Sequence, residues 1–291
     1  MIWLSGNKGM LGTELSLLLE KSGYSFVGTD REVDITNPAA LEKFIQAQPV
    51  DVKWIINCAA YTAVDKAEDD AENCRLLNTV GALNIALAAN KTGARLIHIS
   101  TDYVFNGCSQ RPYTEEDITD PTGVYGLTKR DGEIKVLEKN ASSYIIRTAW
   151  LYGRHGNNFV HAMLRLMKER ESVSVVNDQR GSPTWARDLS QAIITFIRLA
   201  EERKTIPYGI YNFSNEGEIT WFDFAREIYN QGRFRGILTK DCEVKPCTSA
   251  DFPAKVKRPA YSALDKTKIK KTLGIDIPLW DASLGKFLSE I

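Results

Sequence analysis

Residues 1–21 read MIWLSGNKGMLGTELSLLLEK. The first four are apolar and, with Ser5, suited to a strand. Gly6, Gly9 and Gly12 follow at G-x-x-G-x-x-G spacing, and Leu11, Leu15 and Leu18 then recur at helical period. A strand, a glycine-rich turn and an amphipathic helix in that order match the opening of a dinucleotide-binding βαβ unit. Glycines there let the backbone turn tightly and approach a pyrophosphate, whose charge the free N–H groups at the helix start stabilise. Gly6, Gly9, Met10, Leu11 and Gly12 are therefore candidate cofactor contacts. An ordinary glycine-rich turn has the same composition, so the surrounding sequence has to decide.

Outward from this stretch, strand-like and helix-like runs keep alternating: 25–29 then 38–48, 53–58 then 71–91, with further strands at 95–99 and 144–148. The alternation predicts an α/β fold, a Rossmann-type doubly wound parallel sheet with right-handed crossovers. Within 71–91, Leu76, Val80, Leu83 and Leu87 form the stripe expected to lie on the sheet. After about residue 152 the pattern loosens, with helices predicted at 159–169, 188–201 and 221–230. The expected division is a dinucleotide-binding part over 1–152, with roughly 172–202 returning to it, and a smaller, mainly substrate-binding C-terminal part over 153–291.

Bulk composition narrows the partners. The 291 residues are 43% hydrophobic and 25% charged, enough for a sizeable core, and Lys plus Arg and Asp plus Glu both total 37. A balanced charge favours neither nucleic acid nor an anionic membrane, so a small-molecule partner is expected. The five cysteines are scattered and odd in number, and read as reduced thiols. No apolar run reaches the roughly 20 residues that span a bilayer, and no signal peptide is visible. A cytoplasmic protein is the expectation. His98, His155 and His161 show no metal-ligand spacing, so no metal is assigned, and His98 reads as a core residue of an apolar strand.

Three positions refine the cofactor end. Asp30 closes the second strand, near the distance of about 20 residues at which an acidic group meets the adenosine ribose hydroxyls. Arg31, next to it, suits a 2′-phosphate, so NADH and NADPH both remain open. Asp34 and Ile35 are placed to flank an adenine, although a cap or turn role suits Asp34 equally.

The chemistry is expected at VYGLTK, residues 124–129, where Tyr125 and Lys129 are spaced to share one helix face. A lysine ammonium beside a phenol would lower its pKa toward working pH, and the same cation can hold a nicotinamide ribose. Upstream, the strand in IHISTDYVF ends at Ser100, Thr101 and Asp102, delivering a hydroxyl to the carboxyl edge of the sheet, where open α/β folds bind ligands. Thr101 could there hydrogen-bond a carbonyl that Tyr125 protonates. A threonine capping the following loop is the alternative.

GNKGMLG, NCAAYTAVDKAE, STDYVF, VYGLTK, RTAWLYG and NDQRGSPT, in this order from residue 6 to residue 184, together resemble the extended short-chain dehydrogenases. The resemblance implies NADPH or NADH as cofactor and a nucleotide sugar as substrate, with its keto group reduced. It implies Thr101, Tyr125 and Lys129 as the catalytic set, and Ala60, Tyr61 and Thr62 along the nicotinamide side. It further implies Asp102 and Trp150 as sugar contacts, and a homodimer is compatible with it. Asn157, Asn158 and Phe159 resemble a substrate-side element whose amides suit phosphate or sugar oxygens, or a simple helix cap, and Gln179 to Thr184 form an expected loop under the nucleotide in which Arg180 offers charge for a diphosphate. Asp102 is followed by Tyr103 rather than a second carboxylate, which argues against a dehydratase. An epimerase that retains its cofactor and a non-catalytic regulatory protein, such as the regulatory subunit of methionine adenosyltransferase, stay open as alternatives.

Overall fold

A computed structural model describes residues 1–202, 205–251 and 254–291. Five strands follow the expected order: β1 (Ile2–Ser5), β2 (Phe26–Thr29), β3 (Trp54–Asn57), β4 (Arg95–Thr101) and β5 (Ser143–Thr148). With the strand Gly209–Phe213 they make one six-stranded parallel sheet, ordered β2-β1-β3-β4-β5 and then 209–213. The chain leaves β1 toward β2 on one side and returns to β3 on the other. That reversal opens a crevice at the carboxyl ends of the strands.

Both faces of the sheet are covered, and side-chain alternation explains how. Ile2, Leu4, Trp54, Ile56, Ile97, Tyr144 and Ile146 point to one face, where helix α1 (Met10–Lys21) contributes Leu11, Leu15 and Leu19, and helix Ala186–Glu201 contributes Leu189, Ile193 and Ile197. Trp3, Ile55, Leu96 and Ile145 point to the other. There they meet α2 (Pro38–Gln46), the helical stretch 71–92 and the helix Val124–Lys139.

The stretch 71–92 corrects the sequence reading. Its buried side chains are Cys74, Asn78, Ala82, Asn84, Ile85, Ala86 and Ala89, whereas Leu87 of the expected stripe is 44% exposed. A π-helical turn at Leu76–Gly81 interrupts the helix within this inward-facing set. The small residues then permit close approach: a side chain on Gly132 would lie 2.2 Å from the Asn78 carbonyl oxygen.

Beyond residue 152 a second apolar core gathers Tyr152, Val160, Leu164, Met167, Trp185, Phe224, Ile228 and Phe287. Of the stretch 172–202, the helix Ala186–Glu201 packs on the sheet, but the strand Ser172–Val176 pairs with Glu243–Cys247 instead. The segment that adds a strand to the central sheet is Gly209–Phe213, which carries no clear alternation in sequence. The helix expected at 221–230 runs to Phe234, started by a capping box between Thr220 and Asp223.

Candidate active site

The glycine turn behaves as a cradle. Gly6 has a φ of +77° and sits so close to the chain after β3 that a side chain would meet Ala59 N at 2.6 Å. A side chain on Gly12 would lie 2.1 Å from the Gly6 carbonyl oxygen. Gly6 N and Asn7 N both donate to the carbonyl of Thr29 at 2.7 and 3.0 Å, docking the loop beside Asp30. Helix α1 begins at Met10 with no side chain capping it and no acidic residue in its first turn. Its unpaired N–H groups and positive dipole end therefore face the crevice, and a pyrophosphate fits there.

From this cradle a cleft of about 420 Å³ runs along the strand ends. Gly6, Gly9, Met10, Leu11, Gly12, Ala60 and Thr62 line one part, and Thr101, Asp102, Tyr125, Lys129 and Trp150 line the other. It adjoins a wider cavity of about 1250 Å³ that shares Thr62, Val64 and Tyr103 and extends past Phe159, Gln179, Trp221 and Arg258. The two meet along these shared residues, beside Phe159 and Trp221 of the second apolar core.

The catalytic candidates meet within it. Thr101 donates to the Asp102 carboxylate at 2.9 Å and accepts from Tyr103 N at 3.2 Å. Tyr103 and Tyr125 pack edge to face with centroids 5.5 Å apart. Burial pushes the Tyr125 phenol well above its ordinary range, more than its hydrogen bond with Thr101 pulls it down. The expected lowering by Lys129 is thus not what governs the phenol in this protein without ligand, because desolvation of the phenolate dominates. Lys129, 2% exposed, is itself lowered to about 8 by burial, against the opposing pull of Glu133. Burial also pushes Asp102 up to about 7, with the hydrogen bond from Thr101 opposing.

Trp150 has a φ of +48°, the left-handed region that a bulky residue adopts only when its surroundings impose it. Its ring stacks on Trp221 at 3.6 Å, and Gly181 lies so close on the ring that a side chain there would meet it at 2.8 Å. RTAWLYG and NDQRGSPT, distant in sequence, are joined at this contact.

Six candidates, Asp30, Asp34, Ile35, Tyr61, Asn158 and Arg180, do not line the cleft. Asn158 donates to the Gly153 carbonyl at 2.8 Å and accepts from His161 N at 3.1 Å, so its amide is committed to capping the helix Phe159–Glu169, and Asn157 lines the cleft instead. The Arg180 guanidinium is paired with Glu218 at 2.8 Å, and its neighbour Gln179 faces the wider cavity. Asp34 accepts from the backbone and hydroxyl of Thr36, a turn role, while Ile35 is buried in the core against Gly81. Asp30 stays half-buried at the end of β2, next to the ion pair between Lys8 and Glu32 at 3.3 Å.

Residues that sequence reading passed over hold this geometry together. Asn78, in the π turn, brackets Tyr61 by accepting from its N–H at 2.8 Å and donating to its carbonyl at 3.1 Å, and it also donates to Thr128 at 3.2 Å. It thereby ties the Ala60–Thr62 loop to the helix of Tyr125 and Lys129. A polar side chain within a largely apolar helix was the available signal. Asn57 holds the core residue His98, whose ring lies against Lys129. Among the described residues, no group of three or more His, Cys, Asp or Glu is arranged to hold a metal ion, and no helix is long and apolar enough to cross a membrane.

Comparison with known proteins adds kinship to geometry. A dTDP-4-dehydrorhamnose reductase of Aggregatibacter actinomycetemcomitans is 39% identical over 283 residues, 97% of this chain and 96% of that one. The crystal structure of dTDP-4-dehydrorhamnose reductase from Bacillus anthracis in complex with NADP matches with a TM-score of 0.92 at 37% identity, covering 100% of this chain and 99% of that one. A dTDP-4-dehydrorhamnose reductase from Clostridium acetobutylicum matches at 0.90 and 39%, covering 99% and 98%. The sequence profile described as RmlD substrate binding domain matches residues 1–291, and with these full-length relatives it shows that the chain belongs to the RmlD substrate-binding-domain family.

Proposed function

We propose that this protein reduces the 4-keto group of dTDP-4-dehydro-L-rhamnose to give dTDP-L-rhamnose, using NADPH or NADH. One observation carries the reading: the cleft runs unbroken from the glycine cradle to Thr101, Tyr125 and Lys129, and then widens into a cavity large enough for a sugar nucleotide. The names of the full-length relatives support the specific sugar.

When bound, the reduced nicotinamide supplies a hydride. The Gly6–Gly12 turn and the start of α1 would hold the pyrophosphate, Asp30 the adenosine ribose, and Ala60 and Thr62 the nicotinamide side. Tyr125 gives a proton to the sugar oxygen, and its phenol, held protonated by burial, is in the right form to do so. Thr101, whose proton now goes to the Asp102 carboxyl, would turn it to the same oxygen when substrate binds, and Lys129 supplies positive charge beside them. Asp102 and Trp150 contact the sugar.

We also read residues 1–152 as the cofactor-holding part and 153–291 as mainly the sugar-nucleotide part, a division supported by the separate apolar core of the C-terminal half. Five unpaired cysteines support a cytoplasmic setting. The test is absorbance at 340 nm with NADH or NADPH and the keto-sugar nucleotide made in situ. Loss of absorbance with formation of dTDP-rhamnose is expected. No loss with either cofactor, in protein that binds both, would overturn the assignment. Tightly retained cofactor with no net oxidation would point to an epimerase.

A further inference from the structure

We propose that His98 is a positioning residue for Lys129: Asn57 clamps its imidazole in the tautomer that turns an N–H toward the lysine Nζ and so disfavours the ammonium form. Asn57 on β3 and His98 on β4 are register partners across the parallel strands, and both are 1% exposed. Asn57 Oδ1 accepts from the backbone N–H of Ala59 at 3.1 Å. A backbone N–H can only donate, so the amide cannot be turned over, and Nδ2 is the end that meets His98 Nδ1 at 3.1 Å. Nδ2 in turn can only donate, so Nδ1 must accept. Burial and the neighbouring Lys129 hold the imidazole neutral. Its single proton therefore sits on Nε2, which faces Lys129 Nζ at 3.5 Å.

At that separation the contact is a weak hydrogen bond, but in a buried setting the positive end of the N–H dipole still acts on the charge of Nζ. The other partner of Nζ, the Ile99 carbonyl at 2.6 Å, accepts from amine and ammonium alike. The remaining ionisable groups that act on Lys129 are Glu133 on its own helix, Cys58 after β3 and Cys74 in the helix Ala71–Arg75, and Tyr125, one turn before it, lines the same cleft. Glu133 favours the ammonium but is itself held by Arg147 through two hydrogen bonds, at 2.9 and 2.7 Å. The Cys58 thiol is pushed up to about 12 and stays neutral.

The consequence rests on the reduction proposed above. A lysine tuned toward neutrality is a better acid than an ordinary one. When the Tyr125 hydroxyl proton moves to the sugar oxygen, one proton from the Lys129 ammonium can replace it on the phenolate oxygen. The amine left behind accepts the His98 N–H until solvent returns the proton.

The first test needs no substrate, so it stands or falls independently of that reaction. Long-range ¹H–¹⁵N spectra of the imidazoles in the full-length protein, which has three histidines, should show His98 neutral and protonated on Nε2 across the neutral pH range. A proton on Nδ1, or a charged ring, overturns the proposal. Asn57→Asp should invert the tautomer and move the basic limb of kcat/KM up by about one pH unit or more. His98→Leu removes the N–H while keeping water out, and should also move that limb up. A merely structural histidine predicts the opposite or no movement, since leucine only adds desolvation, and that result, or an unmoved limb in an inverted Asn57→Asp variant, would sink the idea.

Discussion

Gly12→Ala tests the cradle through a clash that can be measured on the structure. The new methyl carbon would sit 2.1 Å from the Gly6 carbonyl oxygen and 2.7 Å from Asn7 Cα, both backbone atoms with no rotamer to yield. Relief needs the loop to move by roughly 1 Å, because packed side-chain carbons do not approach closer than about 3 Å. Such a shift would stretch the bonds from Gly6 N and Asn7 N to Thr29, now 2.7 and 3.0 Å, beyond hydrogen-bond range. At about 1 kcal/mol each, with a further cost for the stranded Thr29 carbonyl, the loss is ~2–3 kcal/mol. In a chain of 291 residues that corresponds to a fall in Tm of roughly 3–5 °C. Gly9→Ala is the control: its methyl would lie 3.3 Å from the Gly6 oxygen, and Gly9 already has an ordinary φ of −72°. It should cost less than about 1 kcal/mol of stability, although Gly9 lines the cleft and cofactor binding can suffer directly. Urea unfolding of the two variants without cofactor, followed by NADPH titration, separates the effects. Equal stability losses for Gly9→Ala and Gly12→Ala, or none for Gly12→Ala, would refute the reasoning.

Tyr125→Phe should leave cofactor titrations nearly unchanged while turnover falls by ~10²-fold or more, since the proton donor is gone; unchanged turnover would remove Tyr125 from the chemistry. Asp30→Ala should weaken NADH more than NADPH, and matched losses in binding would mean that Asp30 does not read the ribose. Glu133→Gln leaves the buried guanidinium of Arg147, 2% exposed, without its counter-charge and should cost ~3–5 kcal/mol in chemical denaturation, with much of it recovered in a Glu133→Leu/Arg147→Met double variant. Asp102 has a folded pKa raised from 3.8 to about 7, so the carboxyl contributes stability below pH 3.8 that is lost as pH rises through about 7. The stability of the wild type relative to Asp102→Asn should therefore decline over that window, and a flat difference would show that Asp102 is not held protonated.

The sequence by itself determined what near neighbours control. A strand, glycine turn and helix within 21 residues specify the βαβ opening, because backbone freedom, chain reversal and the apolar stripe are all local properties. Tyr125 and Lys129, one helical turn apart, are brought to one cleft for the same reason. The three-dimensional arrangement decided what depends on phase and on partners distant along the chain. Asn78, within the π turn at Leu76–Gly81, faces inward where the leucine stripe was expected. Asn157 and Gln179 face the crevice in place of Asn158 and Arg180, because a helix cap and an ion pair with Glu218 claimed those neighbours first. Parallel register set Asn57 beside His98, 41 residues apart in the chain, and helix packing brought Lys129, 31 residues further on, to His98. Hydrogen-bond competition and the dielectric of a buried site have no signature in a linear pattern, which is why the charge states of Tyr125, Lys129 and Asp102 emerged only once the chain was folded.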